Sequence, residues 1–256
     1  MGTVLHDSVL GEGPDVVLLH GLFGQGSNLG SVARALQPSF RVHSLDLPDH
    51  GRSSWTPAPS IPSYVEVVAA WLRDRKIHRA HLLGHSLGGK VAMGLALAHP
   101  GLVDRLIVAD IAPIAYQPSH DHIFAGLAAV SAANCASRSE ADGVLASHVG
   151  EPGVRQFLLM SLARTGPAQA LDWRLNREGL ARGYPELLAA VPGEASFGGD
   201  TLVIRGADSA YVRDADMAAV RSLFPACQLV TLANTGHWLH AEKPSEFNAH
   251  VQAFLG

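Results

Sequence analysis

The chain has 256 residues, of which 47% are hydrophobic and 16% are charged, a composition that excludes an intrinsically disordered protein. Its formal net charge is -4 and it contains no run of Lys or Arg, so no nucleic-acid partner is expected. No apolar run reaches the roughly 18 residues that a membrane-spanning helix needs, so no membrane insertion is expected.

The first fifteen residues and the cysteines indicate where the protein resides. Residues 1–15 lack the basic start and the apolar stretch of a secretory signal peptide. Cys135 and Cys227 are too few for a disulfide framework, and we expect both to be unpaired thiols in a reducing compartment. We therefore expect a soluble cytoplasmic protein, and its oligomeric state stays open.

Short apolar segments alternate with longer segments of helical period. The segments predicted to be buried strands are 16–20, 40–47, 79–84, 106–110, 201–206 and 228–232. A helix with capping-box spacing is predicted to start at Ser63 and Glu66, just after Pro62. The last helix is predicted to begin at Pro244. This alternation predicts an α/β fold, in which helices cover a mostly parallel central sheet.

The segment 113–197 departs from this alternation. It contains helical patterns at 123–133, 154–164 and 170–182, and no strand pattern. Because predicted strands precede and follow it, we expect a small helical cap inserted between two adjacent strands. The predicted domains are a core of residues 1–112 and 198–256 and a cap of residues 113–197. Ligands of open α/β sheets bind at the carboxyl edge, which such a cap would cover.

A nucleophilic serine is predicted at Ser86. Residues 84–88 read GHSLG and match G-x-S-x-G, a pattern that has little weight without its context. Here it follows a predicted strand and precedes a helical segment at 90–99. In that arrangement a sharp turn exposes the serine hydroxyl at the sheet edge, and Gly84 and Gly88 leave room for the backbone to close.

A serine hydroxyl needs an adjacent base, and His237 is the histidine whose position fits. It follows the last predicted strand and precedes the last helix, and its place late in the chain matches the order Ser, acid, His. His240 is expected at the surface or at a helix start. His120 and His122 lack further ligands at a metal-binding spacing and are expected in a solvated loop. No metal is therefore expected.

Acyl transfer also needs hydrogen-bond donors for the developing oxyanion. The amide of Leu87, directly after the serine, is one candidate. The loop HGLFG at residues 20–24, after the first predicted strand, supplies the other. Leu22 is our first choice in this loop and Phe23 is the alternative.

The order of these motifs resembles that of the α/β-hydrolase superfamily over essentially the whole chain. HG at 20–21, DLPDHGRS at 46–53, GHSLGG at 84–89 and GH at 236–237 appear in the family's order. More narrowly, HGLFG, GHSLGGK, DIAP and GHWLHAEKP resemble small cytoplasmic carboxylesterases with acyl-CoA thioesterase capability. This resemblance implies a serine esterase with a short helical cap and no cofactor. We interpret the stretch 46–53 as a structural turn near the site.

The acid that would orient His237 has two candidates. In most relatives it lies in G-x-x-D after the strand equivalent to Thr201–Gly206, where this chain has Ser209, and Asp208 stands one residue early. In the resembled subgroup DIAP carries an acid, which is Asp110 here. Asp110 is our first choice and Asp208 the alternative, with Ser209 assisting through a hydrogen bond.

Together these residues predict hydrolysis of a small-molecule carboxylic ester or thioester through an acyl-enzyme on Ser86, with His237 as general base. Two other functions stay open. A carbon-carbon bond hydrolase or lyase of the same fold would use the same triad, and a ligand receptor could keep the triad with little turnover.

Overall fold

The computed structural model describes residues 3–165, 170–193 and 195–256. Its strands are β1 (Asp7–Leu10), β2 (Asp15–Leu19), β3 (Arg41–Leu45), β4 (Ala80–His85), β5 (Val103–Ala109), β6 (Leu162–Thr165), β7 (Ala170–Trp173), β8 (Thr201–Gly206) and β9 (Cys227–Leu232). Its α-helices are α1 (Gly30–Leu36), α2 (Ile61–Asp74), α3 (Leu87–Ala98), α4 (Asp121–Ala133), α5 (Arg138–Ala146), α6 (Pro152–Leu159), α7 (Arg177–Leu188), α8 (Met217–Leu223), α9 (Leu239–Glu242) and α10 (Pro244–Leu255). Short 3-10 helices lie at Gly26–Leu29, Pro100–Leu102 and Asp214–Asp216.

Within these ranges one sheet of seven strands has the order β1-β3-β2-β4-β5-β8-β9. β1 pairs antiparallel with β3, and the other pairs in this sheet are parallel. Alternate residues of β2 belong to different cores: Val16 and Leu18 pack with α1 and α10, whereas Val17 and Leu19 pack with α2 and α3. Helices therefore cover both faces, which confirms the predicted α/β fold with a mostly parallel sheet.

Helix α2 begins before the predicted capping box, so that prediction is wrong. Its N-cap is Ser60, whose extended backbone precedes Ile61 and whose hydroxyl accepts from the Ser63 amide at 3.2 Å. Pro62 is tolerated inside the first turn, where its missing N–H has no helical acceptor to lose. Glu66 accepts a hydrogen bond from His99 Nε2 at 2.7 Å instead of closing a cap.

The chain between the neighbouring strands β5 and β8 carries α4 to α7 and a two-stranded antiparallel hairpin of β6 and β7. The hairpin corrects the prediction that this segment has no strand. The predicted helix 154–164 ends at Leu159, and the first residues of the predicted helix 170–182 form β7. Residues 166–169 and 194 of the predicted cap lie outside the described residues. The cap boundaries at 113 and 197 stay a prediction.

Local polar groups explain why these helices begin and end at residues other than those that their hydrophobic period predicts. The Ser161 hydroxyl donates to the carbonyl of Leu158 at 2.7 Å, just after α6. The Asn176 side chain accepts from the Gly179 amide at 3.0 Å and caps α7. Such side-chain bonds compete with the helical backbone pattern and set where helices begin and end. In the described ranges no helix is long and apolar enough to span a bilayer.

Candidate active site

Ser86 lies at a sharp turn between β4 and α3, at the carboxyl edge of the sheet. Its φ of 52° and ψ of -119° are strained for a residue with a side chain. Close backbone approach maintains this turn: a Cβ atom on Gly84 would lie 2.2 Å from the Gly88 carbonyl oxygen, and one on Gly88 would lie 2.2 Å from that of Leu19. The glycines of G-x-S-x-G are thus required by packing of β2, β4 and α3, and the Ser86 side chain is left half-buried.

His237 and Asp110 meet at the same edge. His237 follows β9, Asp110 follows β5, and His237 Nδ1 lies 2.7 Å from Asp110 Oδ2. Because an ionised carboxylate only accepts hydrogen bonds, Nδ1 carries the proton and Nε2 keeps its lone pair free. The imidazole also stacks on Tyr211, with ring centroids 3.9 Å apart. His237 is therefore held in one tautomer and one orientation.

Asp110 is fully buried and accepts from three donors. Besides His237, the Gly206 amide donates to Oδ1 at 3.0 Å, and the Ser209 hydroxyl donates to Oδ2. Asp208 stands on the same loop, but its side chain is exposed, and no hydrogen bond or ion pair joins it to His237 in the described residues. Of the two aspartates that the sequence offers, the structure brings Asp110 to the imidazole.

Ser86 and His237 line one cavity of about 70 Å³, together with Leu22 and Trp238. Among the hydrogen bonds of the described residues there is none between the Ser86 hydroxyl and His237 Nε2. In sites without bound substrate such catalytic hydrogen bonds are often long, and they shorten when the substrate binds. The Ser86 hydroxyl and the His237 imidazole therefore belong to residues that line the same cavity.

Leu22, in the loop after β2, also lines this cavity. No acceptor for the Leu22 amide lies among residues 3–165, 170–193 and 195–256, whereas the Phe23 amide donates to His50 Nε2 at 3.1 Å. The amide of Phe23, the alternative donor, already has an acceptor and is therefore not free to bind an oxyanion. Leu87 is the first residue of α3, and amides in a first helical turn have no intrahelical acceptor. Leu22 and Leu87 flank Ser86 in the adjoining cavity.

Two buried histidines hold this loop in place. His20 donates from Nδ1 to the Gly21 carbonyl at 2.8 Å and accepts from the Leu47 amide at 2.9 Å. His50 donates from Nδ1 to the Pro48 carbonyl at 2.8 Å and accepts from Phe23. Burial lowers the pKa of His20 to about 4 and that of His50 to about 3. Both rings are neutral, as their accepting nitrogens require.

These histidines predict a pH-dependent stability. Burial also lowers the pKa of His240 to about 4. In the unfolded chain these three histidines bind protons near the ordinary pKa of 6.5, whereas in the folded chain they do not until much lower pH, so acidification favours unfolding. We expect the free energy of unfolding to fall by about 2 kcal/mol for each of the three between about pH 7 and about pH 5.

Urea unfolding across this pH range measures the effect, and a His50→Gln variant is the control. Glutamine offers the Phe23 amide an acceptor but does not titrate, so the variant should lose about 2 kcal/mol of the pH dependence, the contribution of one such histidine. A stability that is constant or rises towards pH 5 would contradict the assignment of neutral buried rings.

Several residues at the site were not singled out by the sequence patterns. Lys90 in α3 is buried, and its Nζ donates to the carbonyls of Ile114 at 2.9 Å, Leu188 at 2.9 Å and Ala189 at 2.6 Å. Burial lowers its pKa to about 8. The sequence did contain a signal for Lys90, because a lysine stands within the apolar run LGGKVAMGLALA of α3. No sequence pattern pointed to Tyr211, which stacks on His237.

Other histidines also differ from expectation. His240 begins a helix as expected, yet it is buried beside His85, with ring centroids 4.5 Å apart. His122 is exposed, whereas His120 is half-buried, hydrogen-bonded through Nδ1 to the Tyr184 hydroxyl and part of the cavity wall. The solvated-loop interpretation is therefore wrong for His120, because Tyr184 of α7 packs over it, and His122 lies in α4 and not in a loop. In the described part of the chain no group of three or more His, Cys, Asp or Glu side chains could hold a metal ion.

Comparison with known families agrees with this architecture. A family model described as the alpha/beta hydrolase fold matches residues 14–244. The chain therefore belongs to the α/β-hydrolase family.

Its relatives include the sn-1-specific diacylglycerol lipase ABHD11 of Mus musculus, which is 37% identical over 94% of this chain and 81% of its own length. Esterase YbfF of Escherichia coli is 33% identical over 94% of this chain and 92% of its own. The solved structure of a marine microorganism esterase superposes with a TM-score of 0.94 at 31% identity and covers 98% of both chains.

Proposed function

We propose that the protein hydrolyses carboxylic esters, and thioesters of the same acyl groups, through an acyl-enzyme formed on Ser86. The observation that carries this proposal is the 2.7 Å hydrogen bond between Asp110 and His237 beside a cavity that Ser86 also lines. The likeness to an esterase and to a diacylglycerol lipase supports an ester bond as the one that is cleaved.

In the acylation step Ser86 Oγ attacks the acyl carbon while His237 Nε2 removes the hydroxyl proton. Asp110 accepts from Nδ1 throughout and stabilises the imidazolium that forms. The amides of Leu22 and Leu87 donate to the oxyanion of the tetrahedral intermediate. The intermediate collapses when His237 returns its proton to the leaving oxygen or sulfur, which departs as an alcohol or thiol.

Deacylation repeats this sequence with water. His237 Nε2 removes a proton from water, the hydroxide attacks the acyl carbon, and the same two amides hold the second oxyanion. Return of the proton to Ser86 Oγ releases the carboxylic acid and restores the free enzyme. We further propose that residues 113–197 act as a cap over this site, because Tyr184 and Leu187 of α7 line the cavity next to Ser86.

Steady-state release of p-nitrophenol from p-nitrophenyl acetate tests the proposal. We expect many turnovers per protein molecule, and hydrolysis of an acetyl thioester at the same site. A protein that leaves both substrates intact, or a receptor that releases at most one equivalent of p-nitrophenol, would contradict the proposed function.

A further inference from the structure

Among the described residues, three adjoining cavities of unequal size lie at or near Ser86. The inner chamber has about 40 Å³ and is lined by Ser86, Leu87, Ile111, Tyr116, Leu187 and Tyr211, among others. The connecting cavity has about 70 Å³ and contains Ser86, His237 and Trp238. The outer pocket has about 440 Å³, and its wall includes Phe157, Met160, Trp238 and Ala241. Ser86 thus borders the small chamber and the connecting cavity, and the connecting cavity adjoins the large pocket.

The position of His237 decides which part of an ester enters which cavity. In the proposed reaction, His237 must return its proton to the leaving oxygen, so the leaving group has to lie on the imidazole side of Ser86. His237 lines the connecting cavity but not the inner chamber. The connecting cavity shares Phe157 and Trp238 with the outer pocket. The leaving group therefore extends towards the outer pocket, and the acyl group is left with the inner chamber.

The inner chamber limits the length of the acyl group. Its volume of about 40 Å³ has room for about three water-sized groups. An acyl chain places its carbonyl carbon at Ser86 and only the remaining carbons in the chamber. Acetyl to butyryl groups fit this space, whereas an octanoyl chain is far longer than it.

Hydrogen bonds across the chamber wall oppose its expansion. Lys90 links both ends of the segment between β5 and β8, since its Nζ donates to carbonyls of Ile114 and of Leu188. The Tyr116 hydroxyl donates to the Tyr211 carbonyl at 2.6 Å and accepts from the Ala112 amide at 2.9 Å. Opening the chamber to a long chain would leave such buried groups unpaired, which is costly.

We infer that the enzyme selects esters of short acyl groups with bulky apolar leaving groups, the acyl group in the inner chamber and the leaving group in the outer pocket. This inference rests on the proposed function and adds a substrate class to it. The relevant partners are acetyl to butyryl esters of long or aromatic alcohols, and thioesters of comparable shape.

Two isomeric esters test the orientation directly. Heptyl acetate and methyl octanoate have the same atoms and hydrophobicity, but the long chain is on the alcohol in one and on the acid in the other. We expect kcat/KM for heptyl acetate to exceed that for methyl octanoate by at least about tenfold, the scale on which misfit of a hydrophobic group discriminates. Equal rates, or faster cleavage of methyl octanoate, would overturn the inference while leaving ester hydrolysis intact.

A variant of the chamber wall provides the second arm. Leu187→Ala enlarges the chamber and should raise the octanoate-to-acetate ratio of kcat/KM at least about tenfold. Leu180→Ala is the matched control: Leu180 is also buried in α7 but does not line the inner chamber, so its ratio should stay that of the wild type. An unchanged ratio in folded Leu187→Ala would overturn the inference. Hydrolysis of neither isomer and of no aryl ester would overturn the proposed function instead.

Discussion

Replacing Ser86 by alanine is expected to lower kcat for p-nitrophenyl acetate by on the order of a millionfold, as loss of the nucleophile does in a comparable serine hydrolase. Without Oγ no acyl-enzyme can form, and His237 has no hydroxyl from which to remove a proton. The fold should persist, because Ser86 is half-buried at a turn and alanine keeps the Cβ atom that this backbone already accommodates.

The matched control is Ser131→Ala. Ser131 lies in α4, and its buried hydroxyl has no hydrogen-bond partner among the described residues. This variant also loses one hydroxyl, and we expect its kcat to equal that of the wild type. Steady-state kinetics with circular dichroism on both variants measures the difference. Ester turnover within tenfold of wild type in Ser86→Ala would contradict the assigned nucleophile.

Replacing Asp110 by asparagine should lower kcat by about 10² to 10⁴, which corresponds to a barrier higher by roughly 3 to 5 kcal/mol. The Asp110 carboxylate accepts from His237 Nδ1 at 2.7 Å, and an amide nitrogen in its place would favour the wrong tautomer of the imidazole. The stabilisation of the imidazolium would be lost as well. The variant should fold, since asparagine has nearly the same size and shape, and thermal unfolding should confirm it.

Asp208→Asn is the matched control for this prediction, because Asp208 is on the neighbouring loop and exposed. Its kcat should change by less than about tenfold. The loss of kcat in Ser209→Ala should lie between those of Asp110→Asn and Asp208→Asn, since the Ser209 hydroxyl donates to the same carboxylate oxygen that His237 contacts. If kcat fell strongly in Asp208→Asn and stayed close to the wild-type value in Asp110→Asn, the assignment of Asp110 as the acid would be wrong.

The sheet and the positions of the candidate site residues could be predicted from sequence for one physical reason. Parallel strands buried on both faces form short apolar runs, and the residues directly after them lie at one edge of the sheet. Ser86, Asp110 and His237 each follow such a run, so locating the strands also locates these side chains. Asp110 could be preferred to Asp208 only through a family resemblance, because the contact with His237 joins residues 127 positions apart.

The sequence did not predict the elements that lack a strong hydrophobic period. β1 is an edge strand in which Ser8, Val9 and Leu10 are all exposed, so it lacks the alternation of a half-buried strand. The β6–β7 hairpin pairs Leu162 with Trp173 and has strands of only four residues. In such short elements tertiary pairing outweighs local propensity.

The supporting residues of the site could not be predicted, because their roles are contacts between distant segments. His50 accepts from Phe23 across 27 residues, and Lys90 binds Leu188 across 98. The motif of the stretch 46–53 allowed it to be interpreted as a structural turn. The role of His50 in holding the loop that carries Leu22 can be seen only in the folded chain. These contacts hold the loop that carries Leu22 and join two segments that line the inner chamber.

Mass analysis after treatment with a fluorophosphonate tests the central claim most directly. This reagent reacts with an activated serine hydroxyl and leaves a stable phosphonyl group on it. We predict one adduct per chain, on the peptide that contains Ser86, and no adduct on the Ser86→Ala protein. An adduct on another residue, or no adduct on a folded protein that hydrolyses esters, would contradict catalysis through Ser86.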